Sequence, residues 1–321
     1  MRCNRIWLTA GVRLSWLLLL SLVLGCSPKP NNKHEVIVLK AIDDMIFVQG
    51  GSFMMGDGSF KKDDATGQTT DEYWTYGPIF ESNRPAHKVT LDSYYLSKFE
   101  VASQDYMAYF KTKTEVRPQD QEFLNRIFME DGFALVLPSW YEAKNYCTWL
   151  GTLSGLPFDL PTEAQWEFAA RNRGKNVLFP TDNGKFEKGR NVVVENKEEY
   201  TFFTPLGLAP PSPLGFYNMA DNVNEWVEDW HDPLYYTHSP ELNPKGPAES
   251  PFKNHKWKSV RGCSNAGGGF ERCFYSFIRL EGIIDTHEQD TGTRCALQLK
   301  DQVSQRELKR RALDFMRQKK P

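Results

Sequence analysis

The segment Leu214-Gly215-Phe216-Tyr217-Asn218-Met219-Ala220-Asp221-Asn222-Val223-Asn224-Glu225-Trp226-Val227-Glu228-Asp229-Trp230 decides how the chain is read. Two indoles, Trp226 and Trp230, stand four apart, so at helical spacing they share a face. Ahead of them Asp221, Asn222, Asn224 and Glu225 interrupt a run that otherwise suits a core. Two readings stay open, and they are compatible. Asp221 or Asn222 caps a buried helix, with Glu225 near its third position. Alternatively, the dense carboxylate and amide oxygens hold a hard cation such as calcium.

Working outward, Leu160 to Arg171 predicts a helix. Thr162 is its cap, Gln165 holds the reciprocal capping-box position, Trp166, Ala169 and Ala170 form its apolar stripe, and Gly174 stops it. Ser139 and Glu142 give a similar start to a helix whose Ala143, Tyr146, Cys147 and Leu150 share one face. Ser103 caps a third, through Phe110, and residues 112–133 read as an insertion with helical stretches. Strands are predicted at Val36 to Ala41, on both sides of the Gly50-Gly51 turn, and as a pair within 84–91 and 94–101. Lys61 to Tyr76 reads as a polar, exposed excursion. Short strands, a few capped helices and many turns together imply an irregular α+β domain.

The 321 residues carry a formal charge of -2, so no global field points to nucleic acid. No His-x-His or His-Glu-x-x-His spacing supports zinc or non-haem iron, and Gly267-Gly268-Gly269 lacks the following lysine of a phosphate loop. The start is a targeting segment: Arg2, Arg5 and Arg13, then an apolar run from Trp16 to Leu24 too short to span a bilayer comfortably. Its end, Leu22-Val23-Leu24-Gly25-Cys26, resembles a bacterial lipobox. That resemblance implies a signal peptide over 1–25, lipid on Cys26, and a tether through 26–40. The expected location is the cell envelope, lipid-anchored. Ser27 in place of aspartate favours the outer membrane if the host is Gram-negative.

Four blocks occur in order: Gly50-Gly51-Ser52-Phe53-Met54-Met55-Gly56, Leu160 to Arg171, Gly215 to Trp230, and Val260-Arg261-Gly262 through Thr293-Arg294-Cys295-Ala296. Together they resemble the formylglycine-generating enzyme (sulfatase-modifying factor) family over about 41–299. The resemblance implies a single irregular α+β fold related to C-type lectins. It also implies a long-range disulfide between Cys147 and Cys295. Calcium is implied at two places: Asn191 with Val192, whose acidic partner is Glu198 or Glu199, and Asn222 with the Val223 carbonyl and Glu225. Asp221 and Asn224 depart from the family's usual glycine and tryptophan but keep oxygen ligands nearby.

Catalytic relatives need two thiolates for copper(I), three and eight residues after the serine of an Arg-Gly-Gly-Ser block. Here the block reads Arg261-Gly262-Cys263-Ser264, and the two positions hold Gly267 and Arg272. Cys263 and Cys273 are the nearest substitutes. In an exported domain a disulfide or unpaired thiols outweigh a copper site, so copper and the family's oxidation are not expected. The tail over 300–321, rich in Arg306, Lys309, Arg310, Arg311, Arg317, Lys319 and Lys320, reads as a solvated helix, with an anionic surface or a partner groove as the alternative. The reading that results is a membrane-anchored binding or scaffold component with an envelope protein partner. A divergent oxidase using Cys263 and Cys273, and a lectin-like ligand binder, are the alternatives.

Overall fold

The computed structural model describes residues 33–57, 82–126, 130–137, 139–193, 203–254, 256–265, 271–285 and 290–319. Lys61 to Tyr76, Cys26 and Glu198 and Glu199 lie outside these residues.

The Gly50-Gly51 pair does separate two strands, β1 (Met45–Val48) and β2 (Gly51–Met55), but they do not pair with each other. β2 pairs antiparallel with β3 (His87–Leu91), and β1 with β4 (Tyr94–Ser97). The expected pairing of β3 with β4 is likewise replaced. The four strands form one ribbon that divides between two sheets at Gly50 and at Asp92-Ser93. Gly50 is required there: an added Cβ would stand 2.2 Å from the Leu91 carbonyl oxygen. Its N–H donates to Ser93 Oγ at 3.0 Å, which locks the corner.

β4 continues into β10 (Ala296–Leu297) and then β5 (Phe158–Asp159), giving the order β1-β4-β10-β5. A second four-stranded sheet runs β8 (Leu280–Ile283), β7 (Trp257–Arg261), β6 (Asn224–Trp230), β9 (Thr291–Gly292), with only the β6–β9 pair parallel. The segment that opens the sequence reading is therefore a strand, β6, and not a capped helix. Neighbours on both edges supply its backbone with ladder bonds, and that tertiary pairing overrides the helical spacing of its tryptophans. Before the strand, Asn218 (φ 52°) and Asn222 (φ 78°) turn the chain in the left-handed region. Neither Asp221 nor Asn222 is a helix cap.

A second correction falls on Val36 to Ala41, which lies within helix α1 (Lys33–Asp43) and not in a strand. Ile37, Val38 and Ile42 are buried while Val36 and Lys40 face outward, a helical distribution that a short apolar run cannot announce by itself. The tether expected over 26–40 is correspondingly helical from Lys33 onward. Helix α2 (Ser103–Phe110) begins at the residue expected to cap it: Ala102 takes the cap position, and Ser103 Oγ donates to the Phe133 carbonyl at 3.3 Å. Within the expected insertion lies α3 (Pro118–Arg126). Helix α4 (Trp140–Ser154) is capped by Ser139, which accepts from Glu142 N. The Glu142 carboxylate does not complete the box; it accepts from Tyr106 OH at 2.7 Å and Lys113 Nζ at 2.6 Å. Helix α5 (Glu163–Ala170) has the full Thr162/Gln165 box.

The largest core cluster joins α1, α2 and α4 to the final helix, α6 (Gln305–Gln318), whose Leu308 and Ala312 are fully buried in it. A disulfide joins Cys147 of α4 to Cys295 beside β10, with Cα atoms 5.5 Å apart. A second cluster packs β2 and β3 on α5. The third lies under Cys263, with Phe179, Val192, Phe274 and Phe277.

The Gly50 corner is directly testable. Gly50→Ala meets backbone atoms that cannot yield, so the expected loss is about 1–3 kcal/mol, read as a lowered urea midpoint with unchanged slope.

Candidate functional site: a buried ion network and a closed cysteine pair

Nearly every residue of α5 is buried, the carboxylates included. With Arg171 just beyond its end, charges recur once per turn at Glu163, Glu167 and Arg171. Burial without counter-ions would be prohibitive, so partners arrive from elsewhere. Glu163 accepts from Arg279 Nε at 2.6 Å, Arg261 Nη1 at 3.3 Å and Ser259 Oγ at 3.3 Å. Glu167 accepts from Arg261 Nη2 at 2.9 Å and Gly56 N at 2.8 Å, and pairs with Arg171 at 3.0 Å. Arg171 and Arg279 spend further donors on the carbonyls of Gly56 (2.8 Å) and Ser82 (2.7 Å). Burial pushes the Glu163 carboxyl up, but the Arg279 and Arg261 guanidiniums outweigh it and hold it below the ordinary range.

Trp166 joins this network to a second. Its face lies 5.1 Å from the Arg261 guanidinium, and its Nε1 donates to Glu225 Oε2 at 2.9 Å. Arg294 grips both oxygens of Glu225, through Nε at 3.0 and 2.8 Å and Nη2 at 2.7 Å. Its remaining donors reach the carbonyls of Ser97 (3.1 Å), Lys98 (3.2 Å) and Tyr217 (2.9 Å). Asn222 Oδ1 accepts from Thr204 N at 2.9 Å, and its Nδ2 donates to Glu100 at 3.2 and 3.3 Å. Burial, ahead of the Arg294 charge, drives the Glu100 carboxyl well up.

These placements bear on calcium. The one carboxylate of the Asn222, Val223 and Glu225 set is met by a guanidinium and an indole, and the Asn222 amide is committed on both atoms. Asn191 Oδ1 accepts from Glu187 N at 2.9 Å, its Nδ2 donates to Asp182 Oδ1 at 3.0 Å, and the Val192 carbonyl accepts from Gly189 N at 2.8 Å. The Glu225 carboxylate and the Asn222 amide of the second set are thus held by protein partners, and the acidic partner expected for the first set, Glu198 or Glu199, lies outside the described residues. Among the described residues, no group of three or more His, Cys, Asp or Glu side chains is positioned to hold a metal.

Cys263 and Cys273 form a disulfide with Cα atoms 5.3 Å apart, Cys263 buried and Cys273 half-buried. Sulfurs bonded to one another are not thiolate ligands or nucleophiles. Elsewhere, a polar cleft of about 380 Å³ opens between Asp92, Gln165, Glu228, Asn243, Lys245 and Gln298. Gln165 and Gln298 exchange amide hydrogen bonds at 2.8 and 3.0 Å on its wall.

Residues 33–299 match the sulfatase-modifying factor enzyme 1-like domain. The chain belongs to that family. It is 26% identical over 293 residues to the serine/threonine-protein kinase Pkn1 of Chlamydia trachomatis, covering 84% of this chain but only 40% of that protein. It is 25% identical over 274 residues to the formylglycine-generating enzyme of Mus musculus, covering 67% of this chain and 69% of that one. In fold it is similar to PvdO from Pseudomonas aeruginosa, with a TM-score of 0.59 at 23% identity, over 79% of this chain and 94% of that one. The α+β sulfatase-modifying-factor fold is thus the fold of this protein.

The blocks that carry the family resemblance are those that supply the buried ions: Glu163, Trp166, Glu167 and Arg171 from one, Glu225 from another, Arg261, Arg279 and Arg294 from the last. Reading the sequence for ligands missed this role. The signal was present as carboxylates and an arginine at four-residue spacing on a helix otherwise too apolar to be exposed.

Two outcomes follow from the network. Arg294→Met leaves Glu225 buried beside an apolar chain, with an expected loss of about 3–5 kcal/mol in urea unfolding. The second concerns pH. Asp229 accepts from Glu163 N at 2.8 Å, and burial first, then the Glu163 charge, push its carboxyl from 3.8 up to about 8. The folded state then holds a proton that the unfolded state has released, so this group's contribution falls as pH rises toward 8. His231, lowered from 6.5 to about 4 by burial ahead of Arg279, acts with the opposite sign only below 6.5. Between pH 6.5 and 8 stability is expected to decline. Asp229→Asn should shallow that decline in melting temperatures measured across the window.

Proposed function

We propose that the protein is a lipid-anchored binding or scaffold component of the cell envelope that uses the sulfatase-modifying-factor fold without formylglycine-generating activity. The observation that carries this reading is the cysteine pair. The positions expected to bear the copper-binding thiolates hold Gly267 and Arg272. The substitutes, Cys263 and Cys273, are spent on each other in a disulfide. The sequence blocks that carry the family resemblance have a structural role, the buried ion network, which is independent of the cysteine chemistry. Anchoring rests on the lipobox ending at Cys26, and the partner is an envelope protein. The polar cleft beside α5 favours ligand binding as a second reading, since convergent amides and carboxylates fix the orientation of a small polar ligand.

The test has two arms. Incubation with a Cys-x-Pro-x-Arg peptide, copper and oxygen is expected to give no formylglycine product by mass spectrometry; detection of one sinks the non-catalytic reading. Metabolic palmitate labelling is expected for the native chain and lost in Cys26→Ala, which should also leave the membrane fraction. Label that persists in the variant overturns the anchor.

A further inference from the structure

We propose that the start of α1 and the end of α6 form one face that lies against an anionic phospholipid surface, beside the acyl chains on Cys26. The inference rests on the lipid anchor proposed above and adds an orientation to it. The two helices run antiparallel. Gln305 Nε2 donates to the Asp43 carbonyl at 3.1 Å and Lys309 pairs with the Asp43 carboxylate, so the start of α6 meets the end of α1. Their other ends converge on the last turns of α4. His34 meets Trp149 edge-on at a centroid distance of 5.7 Å, and Lys319 Nζ reaches the Thr152 carbonyl at 3.5 Å. Phe315 covers Gly155, where an added Cβ would stand 2.6 Å from its ring. Lys33, the first described residue, thus stands beside the end of α6. Six residues separate it from Cys26, so the seven Cα steps reach at most about 25 Å even when fully extended. An anchor so short keeps this end of the domain close to the bilayer.

The charge on this end suits that position. Leu308 and Ala312 commit the apolar side of α6 to the core. What remains outward toward this end is Arg310, Arg311, Arg317 and Lys319, against Glu307 and Asp314, with which the three arginines pair; Arg306 lies at the opposite end of α6. In a chain of net charge -2, this is a local cationic surplus. Val36, on the first turn of α1, is 51% exposed and offers apolar contact at the same end. With its own apolar stripe buried, α6 does not insert; it rests on headgroup phosphates through charge alone. Lipid chains and a basic face then act as two independent signals.

The experiment reconstitutes the lipidated full chain with vesicles of phosphatidylcholine alone, or with added phosphatidylglycerol, and reads amine acylation by mass spectrometry. Lys33 and Lys319 report the proposed face; Lys188, in the loop over the third core cluster, is the control. Expected are association with both vesicle types and roughly tenfold slower labelling of Lys33 and Lys319 on anionic vesicles only. High salt should abolish the difference by screening. The variant R317E/K319E should stay vesicle-bound but lose the protection of Lys33, with a melting curve to confirm that it folds. Equal labelling on both vesicles overturns the docking face and leaves the anchor standing. Association with anionic vesicles alone removes the anchor and keeps the face. Association with neither overturns both. Protection that requires an added envelope protein assigns the face to that partner and overturns the lipid proposal.

Discussion

The indole of Trp166 is the hinge on which the structure depends. One edge donates to Glu225 while one face lies under Arg261, so a single side chain couples two buried ion networks drawn from distant parts of the sequence. Neither network is self-sufficient. Arg294 orders the carbonyls of Ser97, Lys98 and Tyr217 only because Glu225 holds it there. Arg261 bridges Glu163 and Glu167, which keeps α5 in register with β7. Apolar residues of similar volume would bury as much surface, but they would not specify which loops meet. Fixing irregular backbone through fanned guanidinium donors is a form of specificity, and in a fold with so little regular structure it substitutes for long ladders.

How much of this the sequence disclosed depended on whether the signal was local. The caps of α4 and α5 were legible because Ser139 and Thr162 act on backbone three residues away. The strands around Gly50 were legible as strands, but their partners were not, since pairing β1 with β4 depends on a corner that involves Leu91 and Ser93. Val36 to Ala41 misled because six apolar-rich residues fit either period. The segment ending at Trp230 misled for a different reason. Spacing by four is compatible with a strand as well as a helix, and only neighbours on both edges decide between them. At the site, the order of blocks gave the family, whereas the partnering of Glu225 with Arg294, 69 residues later, had no sequence period to betray it.

The same division separates the framework from the cysteine pair. The ion networks occupy α5, β6, β7 and the approach to β10. The cysteine pair sits on a loop held by a different core cluster. None of the framework charges comes from that pair.

The packing of α1 against α6 has a consequence for biogenesis. A chain made from its N-terminus presents α1 well before the helix that covers it. Cys147 must likewise wait for Cys295, which is separated from it by 148 residues. Closure of the largest core is therefore deferred until α6 has been made, when contacts of very long sequence separation form together. Until then Ile37, Val38 and Ile42 lack their native cover, and the nascent protein depends on being kept apart from others of its kind.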